Sequence, residues 1–216
     1  MLDTLLFIQI PMKTTDNLKN IVRDKYAEKN MIALERQNQL IEIAHILQTQ
    51  LDKNGHLNMH FICTHNSRRS QFAQAWSHAL AQERHLPISS FSGGVEITAC
   101  NSRTVEALKR AGFEIVIPKL NENPHYLIRW KSGTPLTLFS KLYEDVTNPN
   151  SNFFALMTCS DADDNCPFIP GTLQRIPLRY KDPKYADDTP EETTAYDLCC
   201  NTIKTEIQFI FDQLNS

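Results

Sequence analysis

The stretch that most constrains this chain is Met59-His60-Phe61-Ile62-Cys63-Thr64-His65-Asn66-Ser67-Arg68-Arg69-Ser70, running on into Gln71-Phe72-Ala73-Gln74-Ala75-Trp76. A short apolar run meets a small polar loop, and helix formers follow. That order predicts a strand, a tight turn and a helix from about Ser67 to Gln82. The start of such a helix presents unpaired backbone N–H groups and the positive end of its dipole. Consecutive N–H groups in a curved loop add a nest. The turn is therefore an anion trap. Cys63 opens it, and the field there favours a negative sulfur, the nucleophilic form. Arg69 brings a planar fork that can clamp a tetrahedral oxyanion. Thr64, His65, Asn66, Ser67, Arg68 and Ser70 complete the expected oxyanion-binding loop.

Downstream, strand and helix patterns alternate. Ile88–Ser92 reads as a strand ending in Gly93-Gly94. Asn101 or Ser102 caps a helix through Val105, Leu108 and Ala111, stopped by Gly112. Glu114–Ile117 reads as another strand. Tyr126–Trp130 and Leu136–Phe139, with Ser132-Gly133 between them, predict an inserted β-hairpin. Phe153–Thr158 is the most apolar run and reads as a central strand, and Ile176–Tyr180 as a further one. Glu191 to Leu214 closes the chain as an amphipathic helix. Such alternation implies an α/β fold, doubly wound, with a mainly parallel sheet and helices on both faces. Ligands then bind beyond the carboxyl ends of the strands. Cys63 stands at one such end and Cys159 at another.

Upstream, Thr15 or Asp16 caps a predicted helix through Tyr26. A second apolar stripe runs from Ile32 to Leu51 and stops at Asn54-Gly55. The expected division is an N-terminal helical arm, 1–57, and a catalytic domain, 58–216. The arm packs on the main domain or builds a homodimer.

The net charge of −3 argues against nucleic acid and anionic membranes as partners. No apolar run approaches membrane-spanning length. The apolar start, Leu2–Ile10, includes Asp3 and lacks the flanks of a secretory signal. The chain therefore reads as cytoplasmic and reduced. In that setting cysteines are more often catalytic or redox-active than parts of a disulfide framework, and the chain has six.

Cys-Thr-His-Asn-Ser-Arg-Arg-Ser resembles the phosphate-binding loop of low-molecular-weight protein tyrosine phosphatases and of their relatives, the thioredoxin-coupled arsenate reductases. The resemblance covers about residues 58–216 and implies a four-stranded parallel core. It makes Cys63 the nucleophile, Asn66 the loop-shaping residue, Arg69 the oxyanion clamp and Ser70 the hydroxyl on the thiolate. Asp182, in Lys181-Asp182-Pro183, matches the family's proton donor. Met157-Thr158-Cys159-Ser160-Asp161-Ala162-Asp163-Asp164-Asn165-Cys166-Pro167 resembles the redox segment of the arsenate reductases. It implies that Cys159 attacks the Cys63 adduct and that Cys166 then yields a Cys159–Cys166 disulfide for thioredoxin to reduce. The polar run Ser160–Asn165 is expected to loop out during that exchange. No cofactor and no resident metal is implied. The glutamate that helps bind potassium in the arsenate reductases is replaced here by Gln74, although Ser92 still matches that ion site.

Two other readings stay open. One is a phosphatase acting on phosphotyrosine or a small phosphoester through a phosphocysteine. Tyr185, which resembles an aromatic at the mouth of the phosphatases, keeps it alive. The other is a non-catalytic phospho-ligand binding module. A zinc site from Cys159, Cys166, Cys199 and Cys200 is disfavoured, because adjacent cysteines do not easily both chelate. Cys100, Cys199 and Cys200 are expected to be buried or helix-face thiols.

Overall fold

The computed structural model describes residues 32–116, 121–165 and 168–215. In chain order the elements are α1 (Leu34–Asn54), β1 (Leu57–Cys63), α2 (Arg69–Glu83), β2 (Ile88–Gly94), α3 (Ser102–Arg110), β3 (Glu114–Val116) and β4 (Tyr126–Arg129). There follow β5 (Leu136–Leu138), β6 (Phe153–Met157), α4 (Ser160–Asn165), β7 (Thr172–Pro177), a short 3-10 helix (Pro183–Ala186) and α5 (Glu192–Phe211). The helix expected from Thr15 to Tyr26, the end of the strand expected at Ile117, and Cys166 lie outside the described residues.

β1 and β6 explain the architecture. All five residues of β6 are buried, and so are six of the seven in β1. Successive strand residues point to opposite faces, so these strands are covered on both sides. They pair in parallel, with Ile62 opposite Met157. β2 flanks β1 and β7 flanks β6, giving a four-stranded parallel sheet in the order β2-β1-β6-β7. Phe153–Met157 is thus an interior strand, as its composition predicts. Trp76 of α2 and Tyr196 and Phe211 of α5 are among the largest fully buried side chains. Each such side chain stabilises the fold by roughly 1.5–3 kcal/mol.

Two strands differ from the sequence expectation. The last parallel strand is Thr172–Pro177, not Ile176–Tyr180. It is an edge strand with Leu173 and Gln174 exposed, so its composition is too polar to stand out. The backbone beyond Pro177 still runs beside β6, with Leu178 N–H donating to the Met157 carbonyl at 2.9 Å. The strand at Glu114 exists but leaves the parallel sheet. It pairs antiparallel with β4, which pairs with β5, so the expected hairpin belongs to a separate three-stranded sheet. With only Ile115 partly covered, β3 has no apolar face to bury in a doubly covered sheet. Phe113 and Trp130, both next to this small sheet, meet Trp76 of α2 at ring distances of 4.8 and 5.0 Å.

By contacts the chain divides between Asn38 and Gln39. Within the second unit, α1 buries Leu40, Ile43, Ala44, Leu47 and Leu51. Its Gln39 amide donates to the Pro177 carbonyl at 3.2 Å, and its Gln48 side chain accepts from Asn215 N–H at 2.8 Å. Among the described residues no helix is long and apolar enough to cross a membrane.

Candidate active site

β1 delivers Cys63 to the carboxyl edge of the sheet, and α2 begins at Arg69, so the loop between them is short and sharply bent. Asn66 takes the bend with φ +46° and is fully buried. Asparagine tolerates that left-handed conformation better than most residues. Its side chain also ties the loop together. The Asn66 amide donates to Ser70 Oγ at 2.9 Å, and its oxygen accepts from Lys141 N–H at 3.1 Å. Gln71 Nε2 donates to the Asn66 carbonyl at 2.7 Å. On the β2 side the Thr64 carbonyl accepts from Val95 and Glu96 N–H at 2.8 and 3.0 Å. That approach requires glycine at 94, where a Cβ would lie 2.7 Å from the Thr64 oxygen and 2.8 Å from Asn66 N.

Ser70 stands over the sulfur. Its Oγ is 3.0 Å from Cys63 Sγ. Because Ser70 Oγ already accepts from Asn66, its own hydrogen is free to point at the sulfur.

Arg69 and Asp182 meet across 113 residues, with Arg69 Nη2 donating to Asp182 Oδ2 at 2.7 Å. Nη1 donates to the Tyr180 carbonyl at 3.1 Å. Arg69 Nε is buried and has no partner among the described residues. A buried donor without an acceptor is costly, and an incoming oxyanion would satisfy it. Asp182 is held at both oxygens, since Oδ1 accepts from Lys184 N–H at 3.0 Å and so caps the 3-10 helix that Pro183 begins. The clamp and the expected acid are therefore paired with each other in this state. Arg68 is turned to the same loop. Its Nε donates to Tyr196 Oη at 2.9 Å, and Tyr196 Oη donates to Asp187 at 2.8 Å.

Of the other loop residues, His65 lies at the rim, 3.3 Å from Glu96 Oε2. Ser67 Oγ donates to the Ala99 carbonyl at 2.6 Å. Thr64 Oγ1 lies 3.5 Å from Cys159 Sγ, linking the loop to the second cysteine. Cys159 is buried beyond β6 in the same apolar cluster as Cys63. In this state the run after it is helical: Ser160–Asn165 forms α4, and Ala162 N–H donates to Cys159 Sγ at 3.4 Å. Alternating aspartates mask this helix in the sequence. Gln74 donates to the Ser90 carbonyl at 3.1 Å and accepts from Ser92 Oγ at 2.6 Å, so a neutral hydrogen-bonded amide stands where the resemblance implies a carboxylate. Tyr185 is exposed, with Lys181 Nζ 3.8 Å over its ring.

Lys141 and His60 escape sequence reasoning altogether. Lys141 is 3% exposed and its ammonium lies 4.2 Å over the Phe139 ring. Burial pushes its pKa down to about 8. His60, in the middle of β1, is pushed down to about 3 by burial and then by the Lys141 charge. Nothing in their local sequence marks either as buried. Cys100, Cys199 and Cys200 are buried thiols, each pushed up to about 12 by burial. Among the described residues no group of three or more His, Cys, Asp or Glu side chains could hold a metal ion.

No protein-family model matches the chain. An arsenate reductase of Staphylococcus aureus (strain Newman) is 31% identical over 126 residues, which span 58% of this chain and 77% of that protein. An arsenate reductase of Bacillus licheniformis is 27% identical over 143 residues, 64% of this chain and 82% of its own length. Likeness to solved structures is looser. A low-molecular-weight phosphotyrosine phosphatase of Vibrio cholerae superposes with a TM-score of 0.49 at 13% identity, over 72% of this chain and 95% of that one. An arsenate reductase in a phosphate-binding state gives a TM-score of 0.45 at 14% identity, over 74% and 99%.

Proposed function

This chain belongs to the arsenate reductase family, and from that premise we propose that it reduces arsenate through a covalent adduct on Cys63. Arsenate enters the loop and displaces Asp182 from Arg69, whose guanidinium then clamps the oxyanion together with loop N–H groups. The Cys63 thiolate attacks arsenic, and the departing oxygen takes a proton from Asp182. Cys159 attacks the sulfur of the adduct. Arsenic leaves as arsenite with two more electrons, and Cys63 and Cys159 become a disulfide. Cys166 then displaces Cys63, leaving Cys159–Cys166 for a dithiol partner of the thioredoxin kind to reduce. The relay needs reduced thiols, which suits the cytoplasm.

The observation that carries this reading is the pairing of the two cysteines at one sheet edge. β1 and β6 are parallel neighbours, and Thr64 Oγ1 beside Cys63 reaches to 3.5 Å from Cys159 Sγ. A phosphatase needs only the first thiol. The test is arsenate-dependent, thioredoxin-linked NADPH consumption beside hydrolysis of p-nitrophenyl phosphate. Cys63→Ser should abolish both. Cys159→Ser and Cys166→Ser should abolish only the reduction. Reduction that survives both later substitutions would overturn the relay.

A further inference from the structure

Asp182 does not stand alone. It caps the N-terminal end of the 3-10 helix Pro183–Ala186, and Asp187 caps the other end. Asp187 N–H donates to the Lys184 carbonyl at 3.1 Å, and Asp182 Oδ1 accepts from Lys184 N–H at 3.0 Å. One tight turn therefore carries both carboxylates. Whatever fixes Asp187 also fixes the place from which Asp182 works.

Arg68 is tied to that end of the turn. Its side chain is 13% exposed. Nε donates to Tyr196 Oη at 2.9 Å, and Tyr196 Oη donates to Asp187 Oδ1 at 2.8 Å. Arg68 Nη2 lies 3.7 Å from Asp187 Oδ2, and Nε lies 4.0 Å from Asp182 Oδ1. Both are charge contacts, too long for hydrogen bonds. Tyr196 is fully buried on α5, and burial, with its bond to Asp187, pushes the phenol up to about 12. It stays a neutral hydroxyl, which accepts from the guanidinium and donates to the carboxylate at once. Arg103 of α3 adds to the hold, with Nη1 3.9 Å from Asp187 Oδ2 and Nη2 2.6 Å from Asp188 Oδ1.

The two oxygens of Asp182 thus face two guanidinia, Oδ2 at 2.7 Å from Arg69 and Oδ1 at 4.0 Å from Arg68. The two arginines are not equivalent. Arg69 has a buried Nε without a partner among the described residues, and it gives Asp182 a bond that an oxyanion would take. Arg68 is committed through Tyr196 and Asp187 to the acid-bearing turn. An oxyanion on Arg69 repels a carboxylate left beside it. A second cation behind the carboxylate offsets that repulsion, and Arg68 is that cation.

We propose that Arg68 is a positioning residue for the proton donor, anchored by Tyr196 and Asp187, and that Asp182 turns from Arg69 to Arg68 when an oxyanion enters the loop. The proposal rests on the reading of Cys63 as nucleophile and Asp182 as acid. One carboxyl oxygen turns to Arg68, and the other carries the proton to the departing oxygen. Arg68 then has a task other than the oxyanion contact expected from its place in the loop.

The test is single-turnover arsenite formation by the reduced full-length protein, beside calorimetric binding of inorganic phosphate to the same variants in the Cys63→Ser background. Tyr196→Phe and Arg68→Lys both keep the net charge. Tyr196→Phe should slow arsenite formation by about threefold to tenfold and Arg68→Lys by about tenfold, with phosphate affinity within about twofold of the parent. In the Asp182→Asn background the loss from Tyr196→Phe should shrink to less than about twofold, because the hydroxyl acts through the acid. Phosphate affinity that falls in step with the rate would make Arg68 an oxyanion ligand and overturn the proposal. So would a Tyr196→Phe loss of equal size with and without the Asp182 carboxyl, or no slowing in either variant. A parent protein that forms no arsenite, or binds no phosphate, overturns the reading of the loop itself, and the positioning role with it.

Discussion

The two cysteines at the edge of the sheet are held very differently. The Cys63 loop is tied from four directions. Val95 and Glu96 donate to Thr64, Ser140 Oγ donates to the His65 carbonyl at 2.8 Å, Lys141 N–H reaches Asn66, and Asn101 N–H donates to the Ser67 carbonyl at 3.1 Å. The Cys159 segment is tied to the sheet just before the cysteine, where Thr158 N–H and Oγ1 both reach the Ile62 carbonyl, at 2.8 and 2.9 Å. Beyond it, α4 spans only Ser160–Asn165. A nucleophile gains from being fixed in place before the reaction. A thiol that must travel to a second sulfur gains from standing on an element that costs little to unfold. The difference between the segments matches the two tasks assigned above.

The contrast can be broken most severely at Cys63. Cys63→Ser should lower kcat for arsenate reduction by on the order of 10⁴-fold or more. Cys159→Ser should stop turnover yet leave the rate of Cys63 alkylation within about twofold, because the loop does not depend on the second thiol. Equal loss of Cys63 reactivity in both variants would show that the two segments are one unit.

Next comes Arg69. Arg69→Lys keeps a charge but loses the fork, and kcat/KM should fall by about 10²–10³-fold. Restored activity at high arsenate would mean that Arg69 serves binding alone.

The third test concerns His60, in the middle of β1. Folded His60 is pushed down to about 3 from an ordinary 6.5, so the unfolded chain binds the extra proton first. The stability that neutral His60 permits is complete above pH 6.5 and drains away as pH falls toward 3, by about a few kcal/mol. His60→Gln should flatten denaturant-measured stability across that window. Unchanged acid sensitivity would dismiss His60 as its source.

Gly94→Ala places a methyl against the Thr64 carbonyl and should cost about 1–3 kcal/mol while slowing Cys63 alkylation. The smallest effect belongs to the other segment. Asp161 is exposed at the start of α4, and Asp161→Ala should change stability by no more than about 0.5 kcal/mol. A larger loss there would mean that α4 is as firmly held as the loop.

Legibility followed locality. The strand–loop–helix at Cys63, the Asn101 cap and the apolar run at Phe153 depend on neighbours in the chain, and each could be read directly. β7 begins a few residues before the run that its composition suggests, because an edge strand need not be apolar on both faces. β3 is legible as a strand but its partner is not, since pairing depends on what lies nearby in space. α4 is hidden because its aspartates suit a turn as well as a short helix. The burial of Lys141 and His60 left no mark at all, as burial is a property of what packs around a residue.

The order of residues alone decided that Cys63 would sit between a buried strand and a helix start, since backbone polarity and side-chain periodicity act over a few residues. The folded chain decided the rest. It brought Asp182 onto Arg69, set Cys159 beside Thr64 and anchored Arg68 on Tyr196. Contacts across a hundred residues follow from which strands pair and how helices cover them, and that packing is settled by the whole core at once.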